Sequence, residues 1–181
     1  MSEYHPEPMS DGSRRTGWAE LGGGETVKLA SPAARFGARV FDLLVVLAIN
    51  TVTLLISIDW DTVLDEAQSA TPDFADLGLG PGIWWAWVAV WLVYEVVSVA
   101  VWGRTLGKRI VGIKVVHAVS GERPRWGKAL LRWLVPSVLA AMPFIPWIGE
   151  LWWVLCQVSL TWDRVYQGWH DKAAGTLVIK A

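Results

Sequence analysis

Residues 40–58 read VFDLLVVLAINTVTLLISI, and residues 83–102 read IWWAWVAVWLVYEVVSVAVW. Each run contains about 20 residues, and a helix of that length rises by roughly 28–30 Å, close to the thickness of the hydrocarbon core of a bilayer. The two runs therefore predict membrane-spanning helices at about residues 38–58 and 83–102.

The charges flanking these runs indicate their orientation. Residues 59–82 carry six Asp and Glu and no Lys or Arg, whereas residues 103–132 carry eight Lys and Arg against the single acidic residue Glu122. Basic segments next to membrane helices stay in the cytoplasm. We therefore expect residues 103–132 to be cytoplasmic and residues 59–82 to lie outside. The alternative, a soluble protein with two buried helices, is disfavoured because the charge bias matches both runs.

The composition agrees with a membrane protein. Hydrophobic residues make up 53% of the 181 residues and charged residues only 18%, against about a quarter in soluble domains. The chain has 14 tryptophans, a residue that favours the membrane–water interface. Its net charge of -1 indicates no nucleic-acid partner, and its single cysteine excludes an internal disulfide. The three histidines lack metal-ligand spacing, so no metal site is expected.

A third apolar region, residues 134–162, is interrupted by Pro136, Pro143, Pro146 and Gly149. One tilted span would leave the C-terminus outside, whereas two short helices at about residues 127–142 and 148–163 would return it to the cytoplasm. The sequence PFIP at residues 143–146 is unsuited to a helix centre and suited to a turn. We therefore expect an all-α, four-span helical bundle whose last two spans form a short, proline-broken hairpin. Three spans are the alternative.

The polar segments carry further predictions. Residues 110–118 and 176–181 are rich in β-branched residues, and with residues 122–126 they predict a small cytoplasmic β-sheet. This sheet would join the cytoplasmic loop 103–126 to the C-terminal cytoplasmic segment 164–181. Residues 1–30 show no apolar period and predict a disordered cytoplasmic tail without a signal peptide.

Four motifs carry a family resemblance: ASPAARFGARVFD (30–42), GRTLGKRIVGIKVV (103–116), KALLRW (128–133) and QGWHDKAAGTLVI (167–179). In this order they resemble the RDD family of bacterial membrane proteins, and the resemblance covers a domain over about residues 31–181. The family is named for one arginine and two aspartates, which match Arg35, Asp42 and Asp171. The resemblance implies a multi-pass protein of the bacterial inner (plasma) membrane. The charge bias and the expected sheet predict that both termini are cytoplasmic. Transport has been the usual suggestion for the family.

Arg35, Arg39 and Asp42 are spaced i, i+4, i+7 and therefore share one helix face. A carboxylate at the depth of Asp42 is costly unless paired, so an arginine partner is expected. Two interpretations remain: a proton- or cation-handling group, or a salt bridge that locks the bundle. Glu95 lies deeper, and the same two interpretations apply, with Arg132 as its expected partner if it is structural.

The basic motif after the second run suggests a lipid contact. Arg104, Lys108 and Arg109 lie beside Trp102 and predict binding of anionic lipid headgroups at about 1 kcal/mol each. The alternative is a solvated positive-inside loop. The motif lacks the GxxxxGK[ST] spacing, which excludes a P-loop nucleotide site.

Asp171 is expected to cap a turn or to pair with Arg104, Arg109 or Arg132. No nucleophile accompanies His170 and Asp171 in a recognisable context, so no catalytic residue, cofactor or enzymatic activity is expected. The function expected is that of an accessory or scaffold subunit that binds other membrane proteins. The alternative is an ion or proton-coupled transport component that acts as an oligomer.

Overall fold

The structure is a computed structural model that describes residues 17–69, 82–140 and 146–181. The chain falls into two compact units, Met1–Asp42 with Leu92–Ala181 and Leu43–Trp91. The helices, in chain order, are α1 (Pro32–Ser57), α2 (Trp60–Ala67), α3 (Gly82–Trp102), α4 (Leu106–Val111), α5 (Trp126–Ala140), α6 (Pro146–Val158) and α7 (Trp169–Ala174). The strands are β1 (Trp18–Glu20), β2 (Thr26–Lys28), β3 (Ile113–His117) and β4 (Thr176–Lys180).

Helices α1 and α3 are long and apolar enough to cross a membrane. Only 11% of the most apolar window of α1 and 28% of that of α3 are buried inside the protein, whereas the core helix of a soluble protein is mostly buried. The predicted runs are confirmed as helices. α1 begins earlier than predicted, because the Ser31 hydroxyl accepts a hydrogen bond from the Ala34 backbone N–H and Pro32 suits a first helical position.

The second unit contains the short helix α2, which the sequence did not predict. Asp59 precedes it, and its carboxylate accepts hydrogen bonds from the backbone N–H groups of Asp61 and Thr62. The indole of Trp60 donates to the Leu55 carbonyl oxygen. These hydrogen bonds fix the start of a helix none of whose residues is buried.

Helices α5 and α6 pack against each other near the predicted hairpin positions. Gly149 allows the two helices to lie close together, since a Cβ atom there would lie 2.5 Å from the Leu139 carbonyl oxygen. At 15 and 13 residues, α5 and α6 rise only about 20–23 Å, less than the hydrocarbon thickness. The intervening turn predicted around residues 143–146 lies outside the described residues except for Pro146.

The predicted sheet is confirmed for two strands and wrong for the third. β3 and β4 pair antiparallel, with Ile113 opposite Lys180 and His117 opposite Thr176. Residues 122–125 form no strand, and residues 106–111 form α4, which ends at Gly112 in the left-handed conformation (φ 72°).

The prediction of a disordered tail is wrong for residues 17–30, and residues 1–16 lie outside the described residues. β1 and β2 form an antiparallel hairpin, and Leu29 continues it with a β-bridge to Ile179 in β4. The hairpin buries alternate apolar side chains against the β3–β4 pair, forming a core of Ala19, Leu21, Val27, Leu29, Val116, Ala118, Val165, Leu177 and Ile179. The apolar positions in this short polar segment are too few to predict a strand without the partner surface.

Candidate functional site

Asp42 is the centre of the first of three buried carboxylate clusters. It is 1% exposed and accepts hydrogen bonds from the Tyr94 hydroxyl (2.7 Å), the Thr105 hydroxyl (2.6 Å) and the Gly107 backbone N–H (2.8 Å). The Lys108 ammonium lies 3.7 Å from its second oxygen. The prediction of an arginine partner for Asp42 is therefore wrong: its partners are neutral donors and one lysine.

Two residues at the start of α4, Thr105 and Gly107, allow this helix to donate hydrogen bonds to Asp42. Thr105 caps α4 by accepting from the Lys108 N–H and donates its own proton to Asp42. Gly107 lies so close to α1 that a Cβ atom would collide with the Ala38 carbonyl oxygen. The glycine therefore allows the first turn of α4 to approach α1 closely enough to donate a backbone N–H to Asp42.

Glu95 is the centre of the second cluster. It is 6% exposed, and its carboxylate lies 2.9 Å from a terminal nitrogen of Arg39. The Arg39 guanidinium also lies 5.5 Å from the centre of the Trp153 ring, within range of a cation–π interaction. The expected pairing of Glu95 with Arg132 is wrong, because Arg39, one turn before Asp42 on α1, occupies that place.

Asp171 is the centre of the third cluster and is fully buried. One of its oxygens lies 3.0 Å from Arg35, and the other lies 2.7 Å from the Nε of Arg132. Asp171 also accepts a hydrogen bond from the Gly168 backbone N–H at the start of α7. The predictions of a capping role and of an Arg132 partner are both confirmed, whereas Arg35 was not predicted as a partner, and Arg104 and Arg109 do not pair with Asp171.

Arg35 extends the third cluster to the sheet. Its remaining nitrogens donate to the carbonyl oxygens of Ala30 and of Val178 in β4, each at 3.3 Å. One guanidinium thus connects α1, the strand that follows α7, and the carboxylate of α7. Because a buried arginine needs several acceptors, this geometry explains why the position is occupied by arginine and not by lysine.

Burial and neighbouring charges set the protonation states near Asp171. Burial alone would raise the pKa of Asp171, but Arg132 and Arg35 hold it well below its usual range. Burial lowers the pKa of His170 to about 4, although Asp171, 3.7 Å from its Nε2, opposes this shift. At neutral pH the third cluster therefore contains an ionised Asp171 and a neutral His170.

The low pKa of His170 predicts a pH-dependent stability. Between pH 6.5 and about 4 the unfolded chain takes up a proton on this histidine and the folded protein does not. The free energy of unfolding should therefore fall by up to ~3 kcal/mol as the pH is lowered through this interval. Unfolding in detergent should show this slope in the wild type and a flatter one in His170→Gln. His117→Gln is the control and should retain the slope; an unchanged slope in His170→Gln would contradict the assignment.

Lys108 is buried inside the protein, which corrects its predicted contact with headgroups. It is 8% exposed, and its ammonium lies 3.3 Å from the Thr105 hydroxyl. Burial lowers its pKa to about 8, although Glu95 and Asp42 act in the opposite direction. Arg109 is exposed and Arg104 is half-buried, and neither forms an ion pair with any described residue.

The three clusters bring together all six of the predicted intramembrane and family-signature residues: Arg35, Arg39, Asp42, Glu95, Arg132 and Asp171. Sequence reasoning missed the donors to Asp42, namely Tyr94, Thr105 and Gly107. Two of these lie in the GRTLGKR motif, where a hydroxyl residue followed by a glycine two positions later was the available signal. In the described part of the chain, no three His, Cys, Asp or Glu side chains are placed to hold a metal ion.

Each of the three carboxylates thus accepts from at least one donor of another element, an arrangement that fastens helices together. The model of the RDD family matches residues 29–175, a range that includes Arg35, Asp42 and Asp171. No curated protein and no solved structure matches the chain. The family match and the two apolar helices together suggest a membrane protein. Since the match covers most of its length, the chain belongs to the RDD family.

Proposed function

We propose that this protein is a non-enzymatic accessory or scaffold subunit that binds other membrane proteins. The observation that carries the proposal is that each of the three buried carboxylates, Asp42, Glu95 and Asp171, is already bound by cations or donors of the same chain. A buried charge that is paired within the same chain favours one arrangement of the helices. Such a network favours a rigid protein that binds partners over a transporter that must change conformation.

Exposed apolar side chains on the long helices support a partner within the membrane. On α1, Leu44, Leu47 and Ile56 are 57%, 62% and 79% exposed. Lipid tails or the helices of another membrane protein would cover such a surface. The exposed face of α1 is therefore available for packing against a helix of a partner protein.

The proposed location is the bacterial inner membrane, with four spans and both termini cytoplasmic. β3 precedes α5 and β4 follows α7, so their pairing supports an even number of crossings between residues 117 and 176. The bridge between Leu29 and Ile179 supports a start of α1 on the same side. With residues 103–132 basic, the positive-inside rule assigns this side to the cytoplasm.

Cysteine labelling tests this topology in a Cys156→Ala background. Asp65→Cys should react with a membrane-impermeant maleimide on intact cells, whereas Lys114→Cys and Lys172→Cys should react only after permeabilisation. All three positions are solvent-exposed, so accessibility within the protein does not differ among them. Reaction of Lys172→Cys on intact cells while Lys114→Cys stays protected would contradict the four-span topology.

Site-specific photo-crosslinking in native membranes tests the accessory role. A photoreactive residue at Leu47 or Ile56 should yield one reproducible adduct with another membrane protein, identified by mass spectrometry. Leu64, in α2 and 58% exposed, is the matched control and should not give this adduct. Adducts with lipid alone, or only between copies of this chain, would contradict the proposal.

Lys108 favours transport as a second candidate function, with the protein acting as an oligomer. A buried amine with a pKa of about 8, 3.7 Å from Asp42, can exchange a proton near the working pH. If reconstituted vesicles show ion-driven proton movement that Lys108→Gln and Glu95→Gln abolish without loss of folding, transport replaces the accessory role. Lys114→Gln, which removes an exposed lysine, is the control.

A further inference from the structure

A cavity of about 320 Å³ lies where α3 ends and α4 begins. It is lined by Ser98, Trp102, Arg104, Thr105, Leu106 and Arg109. All six residues belong to one compact unit, and Thr105 is the lining residue that the cavity shares with the Asp42 cluster. Its lining combines two guanidinium groups with an aromatic ring and an aliphatic side chain.

The two arginines have no counterion within the described protein. Neither Arg104 nor Arg109 forms an ion pair or side-chain hydrogen bond with a residue of the described ranges, in contrast to Arg35, Arg39 and Arg132. The Thr105 hydroxyl is already committed to Asp42, which leaves the Ser98 hydroxyl and the Trp102 indole N–H as neutral donors of the cavity lining. Two guanidinium forks and a hydroxyl make up a donor set that suits the oxygens of a phosphate group.

The surroundings favour a phosphate carried by a lipid. Trp102, the last residue of the apolar helix α3, is 65% exposed, and Leu106 and Ile110 are 51% and 64% exposed. Tryptophan at the end of an apolar helix is typical of the headgroup level of a membrane. A soluble phosphate would gain nothing from these apolar side chains, whereas the glycerol and the first acyl carbons of a lipid would cover them.

We propose that this cavity is a specific site for the phosphodiester headgroup of an anionic glycerophospholipid, with Arg104 and Arg109 binding the phosphate and Trp102 and Leu106 contacting the lipid backbone. The site rests on the membrane location proposed above and not on the accessory role. The basic residues of this segment then have two roles. Arg104 and Arg109 bind lipid, whereas Lys108 is buried beside Asp42.

Calorimetric titration of the full chain in dodecyl maltoside tests the site. The ligands are dihexanoyl phosphatidylglycerol, dihexanoyl phosphatidylcholine and inorganic phosphate. The wild type should bind phosphatidylglycerol most tightly, and Arg104→Gln with Arg109→Gln should weaken this binding at least about tenfold. Arg125→Gln with Lys128→Gln removes the same charge from exposed positions of the same segment and should leave the affinity unchanged.

The outcomes are distinguishable. Equal weakening by both double variants would overturn the site, because the attraction would then depend on net charge alone. Binding of inorganic phosphate as tight as that of phosphatidylglycerol would overturn the lipid as occupant. Arg104→Lys with Arg109→Lys retains the charge without the bidentate geometry and should give an intermediate affinity, which provides a test should the Gln variants fold poorly. The cysteine labelling and the titration can also disagree. If Arg104→Gln with Arg109→Gln loses lipid binding but the labelling pattern contradicts four spans, the proposed topology is wrong and the lipid site is retained.

Discussion

Asp171→Asn is expected to lower the free energy of unfolding by roughly 3–5 kcal/mol, the usual effect of removing one partner of a buried ion pair. The side chains of Arg35 and Arg132 are only 9% and 7% exposed, and both would lose their counterion. Asparagine preserves the size of the side chain and its acceptor for the Gly168 N–H, so the loss reports on charge. Unfolding of the purified protein in mixed micelles measures the effect.

Glu122→Gln is the matched control for Asp171→Asn. It removes the same charge from an exposed position and should change the stability by less than about 0.5 kcal/mol. A different result would revise the role of Asp171: if Asp171→Asn is as stable as the wild type but no longer forms the crosslinked complex, the carboxylate acts in binding and not in holding the fold.

Gly107→Ala is expected to have the second large effect, a destabilisation of about 1–3 kcal/mol or more. The added methyl group would meet the Ala38 carbonyl oxygen, which is backbone and cannot rotate away. It would also lie 2.8 Å from an Asp42 carboxylate oxygen. α4 must therefore move away from α1, and the hydrogen bond from the Gly107 N–H to Asp42 would be lost. Unfolding under the same conditions gives the magnitude.

Gly127→Ala is the control for this substitution. Gly127 lies in the first turn of α5, and no atom lies within 4 Å of the position where its Cβ would be. Alanine there should leave the stability unchanged or raise it by up to ~1 kcal/mol, because alanine loses less conformational freedom in a helix. If the two alanine variants behaved alike, the close contact between α1 and α4 would not exist as described.

The apolar runs predicted the long helices because this signal extends over about 20 residues. The β3–β4 strands were also predictable from their β-branched composition. The β1–β2 hairpin was not, because its two three-residue strands gain their stability from the surface of β4, which lies about 150 residues later in the chain.

The residues of the buried clusters were predictable, but their partners were not. Arg39 and Arg132 are chemically equivalent partners for Glu95, and only the three-dimensional packing assigns Arg39 to Glu95 and Arg132 to Asp171. The placement of Lys108 was wrong for a similar reason: helix α4, nucleated by Thr105 and Gly107, turns the lysine inward while its neighbour Arg109 stays at the surface. The spacing of residues along the chain does not indicate which side of α4 faces the interior of the protein.

A double-mutant cycle between Asp171 and Arg132 tests most directly whether the family-signature residues fasten the fold as buried ion pairs. The free energies of unfolding of Asp171→Asn, Arg132→Gln and the double variant are compared with that of the wild type. The double variant should lose roughly 1–3 kcal/mol less than the sum of the single losses, since the second change removes a charge that the first left unpaired. The cycle of Asp171→Asn with Lys128→Gln, an exposed position, should be additive. Additivity in the Asp171–Arg132 cycle as well would contradict the account.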